Sequence, residues 1–362
     1  MKSTENQASR PIYLQLYRKM REEIVLGNYP FGTKLPSKRS LAEATGTSTV
    51  TVEHAYSLLA EEGYVEARER SGFIVIFRKG DGFAAAVERR PELCAAEKPP
   101  TNETFPLSTL SKTVRKILAE HGERLLEKSP NSGCLALREA LCRYLARNRG
   151  IHVAPEQIVV GAGSEYLYGL IVKLLGRERI YAIESPSYKK IEEVYRANGV
   201  VCDPLPLTVT GIDSHALSRT RATVLHTTPY RSFPSGVTAT ASKRHEYVRR
   251  AEKQAGYIIE DDFESEFSIL SKPTEPLFAL SAQGRVIYLN TFSKTISPSL
   301  RTGYMVLPHR LAEEFRKTLG FYSCAAPTFS QYVLAELLDN GDFERHINRV
   351  RRKLRKELAA HK

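Results

Sequence analysis

The chain has 362 residues, of which 42% are hydrophobic, so it can form two globular domains with buried cores rather than one small disulfide-held unit. Lysine and arginine outnumber aspartate and glutamate by 53 to 41, and the net charge of +12 favours a polyanionic partner such as nucleic acid. Five cysteines without a CxxC pair, and no histidine cluster at zinc-ligand spacing, predict reduced thiols and no metal site. The sequence has no apolar signal-peptide core and no run of about 18 apolar residues, which predicts a soluble cytoplasmic protein that does not cross a membrane.

The first 77 residues have the pattern of a small helical domain followed by a hairpin. Apolar residues recur at helical spacing from Pro11 and stop before "GNYPFGTKLP", whose glycines and prolines break a helix. Ser37 can cap a second helix, and the turn "ATGTST" precedes a third helix. The apolar residues of that third helix are Val50, Val52, Tyr56 and Leu59.

After Gly63 the apolar residues alternate in "YVEAR" and again in "GFIVIF", with "ERSG" as the hairpin tip between them. Helix, tight turn and helix, followed by a hairpin, indicate a winged helix-turn-helix domain. Any small three-helix unit would give a similar pattern, so the periodicity alone leaves DNA binding open.

The stretch from "PIYLQLYRKM" to "EEGYVEAR" resembles the winged helix-turn-helix head of GntR-family transcription regulators over nearly its whole length. The resemblance implies that the third helix, from about Ser48, enters the major groove of a double-stranded DNA operator, while Arg39 and the wing reach phosphates or base edges. The residues expected to contact DNA are Arg39, Ser48, Thr49, Thr51, Arg68 and Arg70. The family often has arginine in place of Thr49 and glycine in place of Arg70, and Arg39 could instead form only a surface salt bridge.

Residues 78–104 have no sustained period, several charges and a proline pair, and are predicted to be a linker. From about residue 105 to 362, strand-like apolar runs alternate with helical stretches, which predicts an α/β domain with a mostly parallel sheet. In such a domain the ligand site lies at the carboxyl ends of the strands.

Four of these strand ends carry residues suited to ligand binding. "VVGAGSEYLYGL" runs from a strand through Gly161 and Gly163 into a helix, as a phosphate-binding turn would, and "ESPSYKK" places Tyr188 where its ring could cover a flat ligand. "YIIEDDFESEF" delivers a carboxylate cluster that could bind a metal or anchor a protonated ring nitrogen. "NTFSKTISPSLRTGY" places Lys294 in the loop after another strand, with Arg301 seven residues later.

In this order, the four motifs resemble those of the fold-type I aminotransferases, which bind pyridoxal 5'-phosphate. The resemblance implies that Lys294 is the amine that joins the cofactor, that Asp261 pairs with the pyridinium nitrogen, and that Tyr188 stacks on the ring. It also implies a phosphate site, whose residues would be Gly163, Ser164, Glu165, Ser293 and Arg301.

A GntR-type head joined by a linker to an aminotransferase-like body is the arrangement of the MocR subfamily of transcription regulators. "GCLALREALCRYLARNRGI", "TPYRSFPSGVT" and "VIYLNTFSKTISPSLRTGYMVLP" resemble that subfamily in its own order. The resemblance implies a homodimer whose binding to DNA responds to pyridoxal phosphate, alone or with an amine or amino-acid effector.

The chain also departs from the subfamily. Phe263 stands where a tyrosine hydroxyl usually meets the cofactor, which would remove a hydrogen bond of roughly 1 kcal/mol. Arg231 and Ser232 replace the usual histidine and glutamine. The chain ends after "ERHINRVRRKLRKELAAHK", where the subfamily continues into a C-terminal subdomain that supplies an arginine for a substrate carboxylate. The basic end of the chain is expected to be an exposed helix rather than a nucleic-acid patch.

Three functions therefore stay open at the level of sequence. The first is a DNA-binding regulator that responds to pyridoxal phosphate, and the departures favour it over an active enzyme. The second is a pyridoxal-phosphate-dependent aminotransferase with an accessory head, in which Lys294 is catalytic. The third is a regulator whose body no longer binds the cofactor.

Overall fold

The computed structural model describes residues 11–68, 72–77, 105–268 and 274–360. Arg70 and the predicted linker, 78–104, lie outside the described residues. No helix in the described ranges is both long and apolar enough to cross a membrane.

The N-terminal unit is a three-helix domain with a hairpin, as the sequence predicts. Its elements are α1 (Ile12–Leu26), α2 (Lys38–Thr45), α3 (Thr49–Glu61), β1 (Val65–Arg68) and β2 (Gly72–Val75). The two strands are antiparallel, with Val65 opposite Val75. Val52, Tyr56 and Leu59 are fully buried in its core, whereas Val50 is 62% exposed. Val50 lies two residues, about 200° around the helix, from Val52 and therefore on the opposite side.

Capping side chains define the turn between α2 and α3. The Ser37 hydroxyl accepts a hydrogen bond from the Ser40 amide at 3.1 Å, and the Ser48 hydroxyl accepts one from the Thr51 amide at 3.1 Å. Gly46 ends α2 with a φ of 64°, a left-handed conformation that glycine adopts without strain. The result is the helix, tight turn and helix that the motif requires.

The larger unit is built on an eight-stranded sheet with the order β3-β10-β9-β8-β7-β4-β5-β6. Its strands are β3 (Ile158–Gly161), β4 (Ile180–Ser185), β5 (Val201–Thr208), β6 (Gly211–Ile212), β7 (Val224–Thr227), β8 (Tyr257–Asp261), β9 (Val286–Thr291) and β10 (Gly303–Val306). Strand β10 is antiparallel to β3 and β9, and β6 is antiparallel to β5. The central strands β9, β8, β7, β4 and β5 are parallel to one another, so the prediction of an α/β fold with a mostly parallel sheet is confirmed.

Helices cover both faces of the sheet and bury it. They are α4 (Leu107–His121), α5 (Leu135–Asn148), α6 (Ser164–Leu175), α7 (Lys189–Ala197), α8 (Ser214–Arg219), α9 (Ala241–Lys253), α10 (Leu277–Leu280), α11 (His309–Thr318), α12 (Thr328–Asp339) and α13 (Asp342–Ala360). The apolar cores pack α4, α5, α12 and α13 on one side and α6, α7 and α11 on the other. Strands covered on both faces read as continuous apolar runs, which is why "QIVVGAG" and "RVIYLN" could be recognised.

Gly303 lies between the glycine turn after β3 and the start of the loop that carries Lys294. Gly303 in β10 lies opposite Gly161 on one side and Thr291 on the other. A Cβ atom at Gly303 would lie 3.0 Å from the Asn290 carbonyl oxygen and 3.4 Å from the Gly163 Cα. The absence of a side chain there lets the turn after β3 approach the loop that carries Lys294.

Candidate functional site

A cavity of about 360 Å³ opens at the carboxyl ends of the parallel strands. Its lining residues are Gly163, Ser164, Glu165, Tyr168, Tyr188, Lys190, Ile191, Phe233, Asp261, Phe263, Thr291, Ser293, Lys294 and Arg301. The lining therefore includes every residue that the sequence predicts to hold a cofactor.

Asp261, the last residue of β8, lies deep in the cavity and is 2% exposed. The Tyr168 hydroxyl donates to its Oδ2, and the His226 Nε2 atom lies 3.7 Å from the same oxygen. Tyr195 in turn forms a 2.6 Å hydrogen bond with the His226 Nδ1. Burial raises the pKa of the Tyr168 hydroxyl well above its usual range, and the neighbouring Asp261 raises it further, so Tyr168 remains a donor.

The second carboxylate oxygen of Asp261, Oδ1, is buried and has no hydrogen-bond partner in the described part of the chain. Buried polar atoms are rarely left unpaired, because desolvation without a compensating bond costs about 1–3 kcal/mol. Asp261 lines the cavity, so a hydrogen-bond donor on a bound ligand could supply the missing partner of Oδ1.

A second group of lining residues is suited to an anion. Gly163 caps the N-terminus of the 12-residue helix α6 with a φ of 92°, and this helix N-terminus lines the cavity through Gly163, Ser164 and Glu165. The Arg301 guanidinium lies 3.9 Å from the position that a Gly163 Cβ would occupy, and the Ser293 hydroxyl is 3.0 Å from the Thr291 hydroxyl. Helix amides, a hydroxyl and a guanidinium together form a donor set for a phosphate.

Lys294 is held between a carboxylate and an aromatic ring. Its Nζ atom lies 2.5 Å from the Glu264 Oε1 and 4.2 Å from the centroid of the Phe263 ring. The Arg231 Nε atom is 3.8 Å from the other oxygen of Glu264. Glu264 thus balances two positive charges beside the cavity.

Aromatic side chains form the walls. Tyr188 is 39% exposed at the mouth, and its ring meets the edge of Phe233 at a centroid distance of 6.1 Å. Phe233 belongs to the segment after β7, which the buried Glu184 fixes by accepting hydrogen bonds from Thr227, Thr228 and Ser232. Burial raises the pKa of Glu184 to about 7 despite these bonds.

Most of the residues predicted to contact DNA are exposed in the N-terminal domain. Arg39, Ser48 and Thr49 are exposed, and Thr51 is partly exposed. The Ser48 hydroxyl caps α3 by accepting from the Thr51 amide, and it also lies 2.8 Å from the Thr51 hydroxyl, so Ser48 has a structural role as well. Arg68 is exposed and bonds Glu66 at 2.8 Å.

Sequence reasoning missed other residues in both places. Val50 and Glu53 share the exposed face of α3 with Thr49, and Glu53 bonds Lys38 of α2 at 2.7 Å. In the cavity, Tyr168 could have been found, because it lies one helical turn after Ser164 on the same face. Phe233 carries no such signal, since its position depends on how the segment after β7 folds back.

Comparison with known proteins agrees with this architecture. The model of bacterial regulatory proteins of the gntR family matches residues 12–75, and the model of aminotransferase class I and II matches residues 95–361. The probable rhizopine catabolism regulatory protein MocR of Rhizobium meliloti is 30% identical over 96% of this chain and 76% of its own length. This chain belongs to the MocR subfamily of GntR-type transcription regulators.

Two further similarities bear on this MocR-type chain. The HTH-type pyridoxine biosynthesis transcriptional regulator PdxR of Corynebacterium glutamicum is 31% identical over 93% of this chain and 75% of its own length. The multiple substrate aminotransferase of Thermococcus profundus is 26% identical, with a TM-score of 0.64. That match covers 71% of this chain and 66% of the aminotransferase chain.

Proposed function

We propose that this MocR-type protein is a DNA-binding transcription regulator whose aminotransferase-like domain binds pyridoxal 5'-phosphate as an effector or effector-sensing cofactor. The observation that carries the proposal is the buried, unpartnered Asp261 Oδ1 in a cavity that is also lined by a donor set for a phosphate. Pyridoxal phosphate carries a ring nitrogen that can be protonated and a phosphate at the far side of the ring. The chemistry of the lining residues therefore suits both polar groups of this cofactor.

In this proposal each residue has a defined task toward the cofactor. Gly163, Ser164, Glu165, Ser293 and Arg301 surround the phosphate, and Asp261 accepts a hydrogen bond from the ring nitrogen. Tyr168 keeps the Asp261 carboxylate oriented through its other oxygen. When bound, the cofactor would supply an aldehyde for amines and a ring that withdraws electrons.

Lys294 is the amine placed to react with that aldehyde, and Glu264 holds it in the meantime. Tyr188 covers one side of the ring, while Phe233 narrows the mouth and excludes water. Arg39, Ser48, Thr49, Thr51, Arg68 and Arg70 contact the operator, and a homodimer would present two such heads.

Two measurements on the purified protein test this function. The absorption spectrum with added pyridoxal phosphate should show the band of lysine-bound cofactor, and the band should be absent in Lys294→Ala. Selection from a random pool of double-stranded DNA should yield a common site whose affinity changes with the cofactor. A protein that enriches no sequence, with or without pyridoxal phosphate, would contradict the regulator proposal.

A second candidate is a pyridoxal-phosphate-dependent aminotransferase with an accessory head, which the pairing of Lys294 and Asp261 in one cavity supports. Lys294 would then be catalytic. Amino-group transfer across a panel of amino acids, lost in Lys294→Ala, would establish this activity. Binding of the cofactor without turnover would instead leave the sensing role, and no cofactor band at all would favour a body that serves only as an oligomerisation module.

A further inference from the structure

The DNA-binding domain rests on the first turns of α9 in the larger domain. Ala241 is fully buried and packs within the core of the N-terminal domain. The Tyr64 hydroxyl forms a 2.9 Å hydrogen bond with the His245 Nε2, and the Phe77 ring meets the His245 imidazole edge-on at 5.4 Å. The N-terminal domain and α9 are therefore in direct side-chain contact.

Arginine and glutamate side chains complete the contact. Arg244, only 2% exposed, donates from Nη2 to the Glu62 carbonyl oxygen at 3.3 Å and from Nη1 to the Glu275 carbonyl oxygen at 2.8 Å. The Glu275 carboxylate forms an ion pair with Arg21 of α1, and both side chains are about 15% exposed. Glu62 follows the last residue of α3, so these bonds fix the carboxyl end of the helix that is proposed to read DNA.

The segment that contains Glu275 is also attached to the strand that ends in the cavity. Glu260 of β8 accepts hydrogen bonds from the Leu277 amide at 2.8 Å and the Phe278 amide at 2.9 Å. On the other side of Glu275, the Thr274 carbonyl oxygen accepts a bond from Arg149.

Arg149 donates from its other terminal nitrogen to Asp262 at 2.5 Å, in a pair that is almost fully buried. Asp261, whose Oδ1 faces the cavity without a partner, lies between Glu260 and Asp262 in sequence. The two immediate neighbours of the cavity aspartate are therefore connected to the chain on either side of Glu275: Glu260 directly, and Asp262 through Arg149.

We propose that Glu275 is a positioning residue that links occupancy of the Asp261 cavity to docking of the DNA-binding domain. This inference rests on the proposed binding of pyridoxal phosphate. A donor bound at Asp261 Oδ1 fixes the end of β8, and the segment 274–278 becomes better ordered because Glu260 and Arg149 bind it. A better ordered Glu275 favours the docked head, and by linkage the docked head favours the bound cofactor.

The absence of tryptophan from the chain allows a clean reporter of docking. Phe77 is 2% exposed against His245, so Phe77→Trp would place the chain's single indole at the contact. Pyridoxal phosphate is titrated into this protein, and bound cofactor (absorbance) and indole exposure to acrylamide quenching are measured in the same samples. The same titration is then run with Glu275→Gln added, and with Glu336→Gln as a matched control.

Glu336 is a suitable control because it pairs with Lys116 at 2.7 Å, is 18% exposed on its side chain, and belongs to α12 rather than to the head contact. We expect the cofactor to protect the indole in the parent and in the Glu336→Gln protein. In the Glu275→Gln protein the cofactor-dependent decrease in acrylamide quenching should be at least about fivefold smaller. A factor of about five is the lower end of the usual range for coupling between two sites. Reversing the ion pair with Arg21→Glu and Glu275→Arg together should restore part of the protection that either change alone removes.

Hydrogen exchange of the peptides covering α9, in proteins that keep Phe77, provides the same comparison if the indole perturbs packing. Two results would overturn the proposed role of Glu275. The first is equal protection of the indole by cofactor in the Glu275→Gln and parent proteins. The second is bound cofactor with no change in indole quenching or in hydrogen exchange at α9. Absence of bound cofactor in the parent is a different result, because the absorbance then rejects the proposed function itself.

Discussion

The Lys294 amine and the Glu264 carboxylate are 2.5 Å apart beside the cavity, so the lysine proposed to react with a cofactor aldehyde already forms an ion pair. The Lys294 side chain is 36% exposed, and ion pairs at such positions are worth about 1 kcal/mol or less. This contact must break before the amine can react. The ion pair should therefore slow the reaction of Lys294 moderately without preventing it.

Replacing Glu264 with glutamine is expected to speed the attachment of pyridoxal phosphate by about two- to fivefold, because about 0.5–1 kcal/mol of competing interaction is removed. Stopped-flow absorbance of the lysine-bound cofactor measures the rate. Glu264→Asp, which keeps the charge, serves as the control. A rate slower than that of the parent would show that Glu264 assists the reaction instead.

Replacing Asp261 with asparagine separates stability from cofactor binding. The carboxylate is buried with one oxygen unpaired, so a neutral amide of the same shape should leave the free energy of unfolding within about 1 kcal/mol or raise it. Loss of a charged acceptor should weaken pyridoxal phosphate by about ten- to a hundredfold.

Urea unfolding and cofactor titration measure the two effects of Asp261→Asn. Asp203→Asn is the control, since Asp203 lies on β5, accepts a hydrogen bond from Thr220 and does not line the cavity. Unchanged cofactor affinity in Asp261→Asn would remove Asp261 from the proposed site.

Phe263 lies under the Lys294 amine, at 4.2 Å from ring centroid to nitrogen, and has no hydroxyl to offer a ligand. Phe263→Tyr is expected to tighten pyridoxal phosphate about fivefold, the value of one hydrogen bond of about 1 kcal/mol. Phe233→Tyr adds a hydroxyl to the other phenylalanine of the described cavity lining and should leave the affinity for pyridoxal phosphate unchanged. Equilibrium titration by absorbance checks both, and equal tightening by the two variants would contradict a specific role for position 263.

Glu53 places a negative charge on the exposed face of α3 and neutralises Lys38 at 2.7 Å. Glu53→Gln should raise affinity for random-sequence DNA and steepen the plot of log affinity against log salt by about one, because Lys38 becomes available to a phosphate. Fluorescence anisotropy across a salt series measures the slope. Glu120→Gln, the same charge change on α4, should leave the slope as it is.

The contact at His245 should weaken in acid. Burial lowers the pKa of His245 to about 3, and the neighbouring Arg244, Arg21 and Arg249 act in the same direction. Because the folded-state pKa lies below the unfolded value of about 6.5, the stability that depends on neutral His245 is present above pH 6.5 and is lost as the pH falls toward 3.

The free energy of unfolding should therefore fall by up to about 1.4 kcal/mol per pH unit below 6.5 through this one group. His245→Gln cannot be protonated and should show a shallower slope between pH 6.5 and 5 in urea titrations. Parallel slopes in the two proteins would show that the imidazole does not stay neutral in the contact.

The sequence by itself determined the order of elements and the residues at the strand ends. Apolar runs of strand length, glycine turns and caps are local signals, so the winged helix-turn-helix domain, the mostly parallel sheet and the places of Lys294 and Asp261 could be read directly. Parallel strands align their carboxyl ends, which is why residues far apart in sequence could be expected in one cavity.

The tertiary structure alone decided what faces those residues. Three features join segments whose separation in space no local pattern encodes. They are the bond between Glu264 and Lys294, the position of Phe233, and the packing of the DNA-binding domain against Arg244 and Glu275. Helical periodicity tells which residues share a face but not what lies opposite that face. For that reason the cavity could be predicted from the sequence, whereas its connection to the DNA-binding domain emerged only from the folded chain.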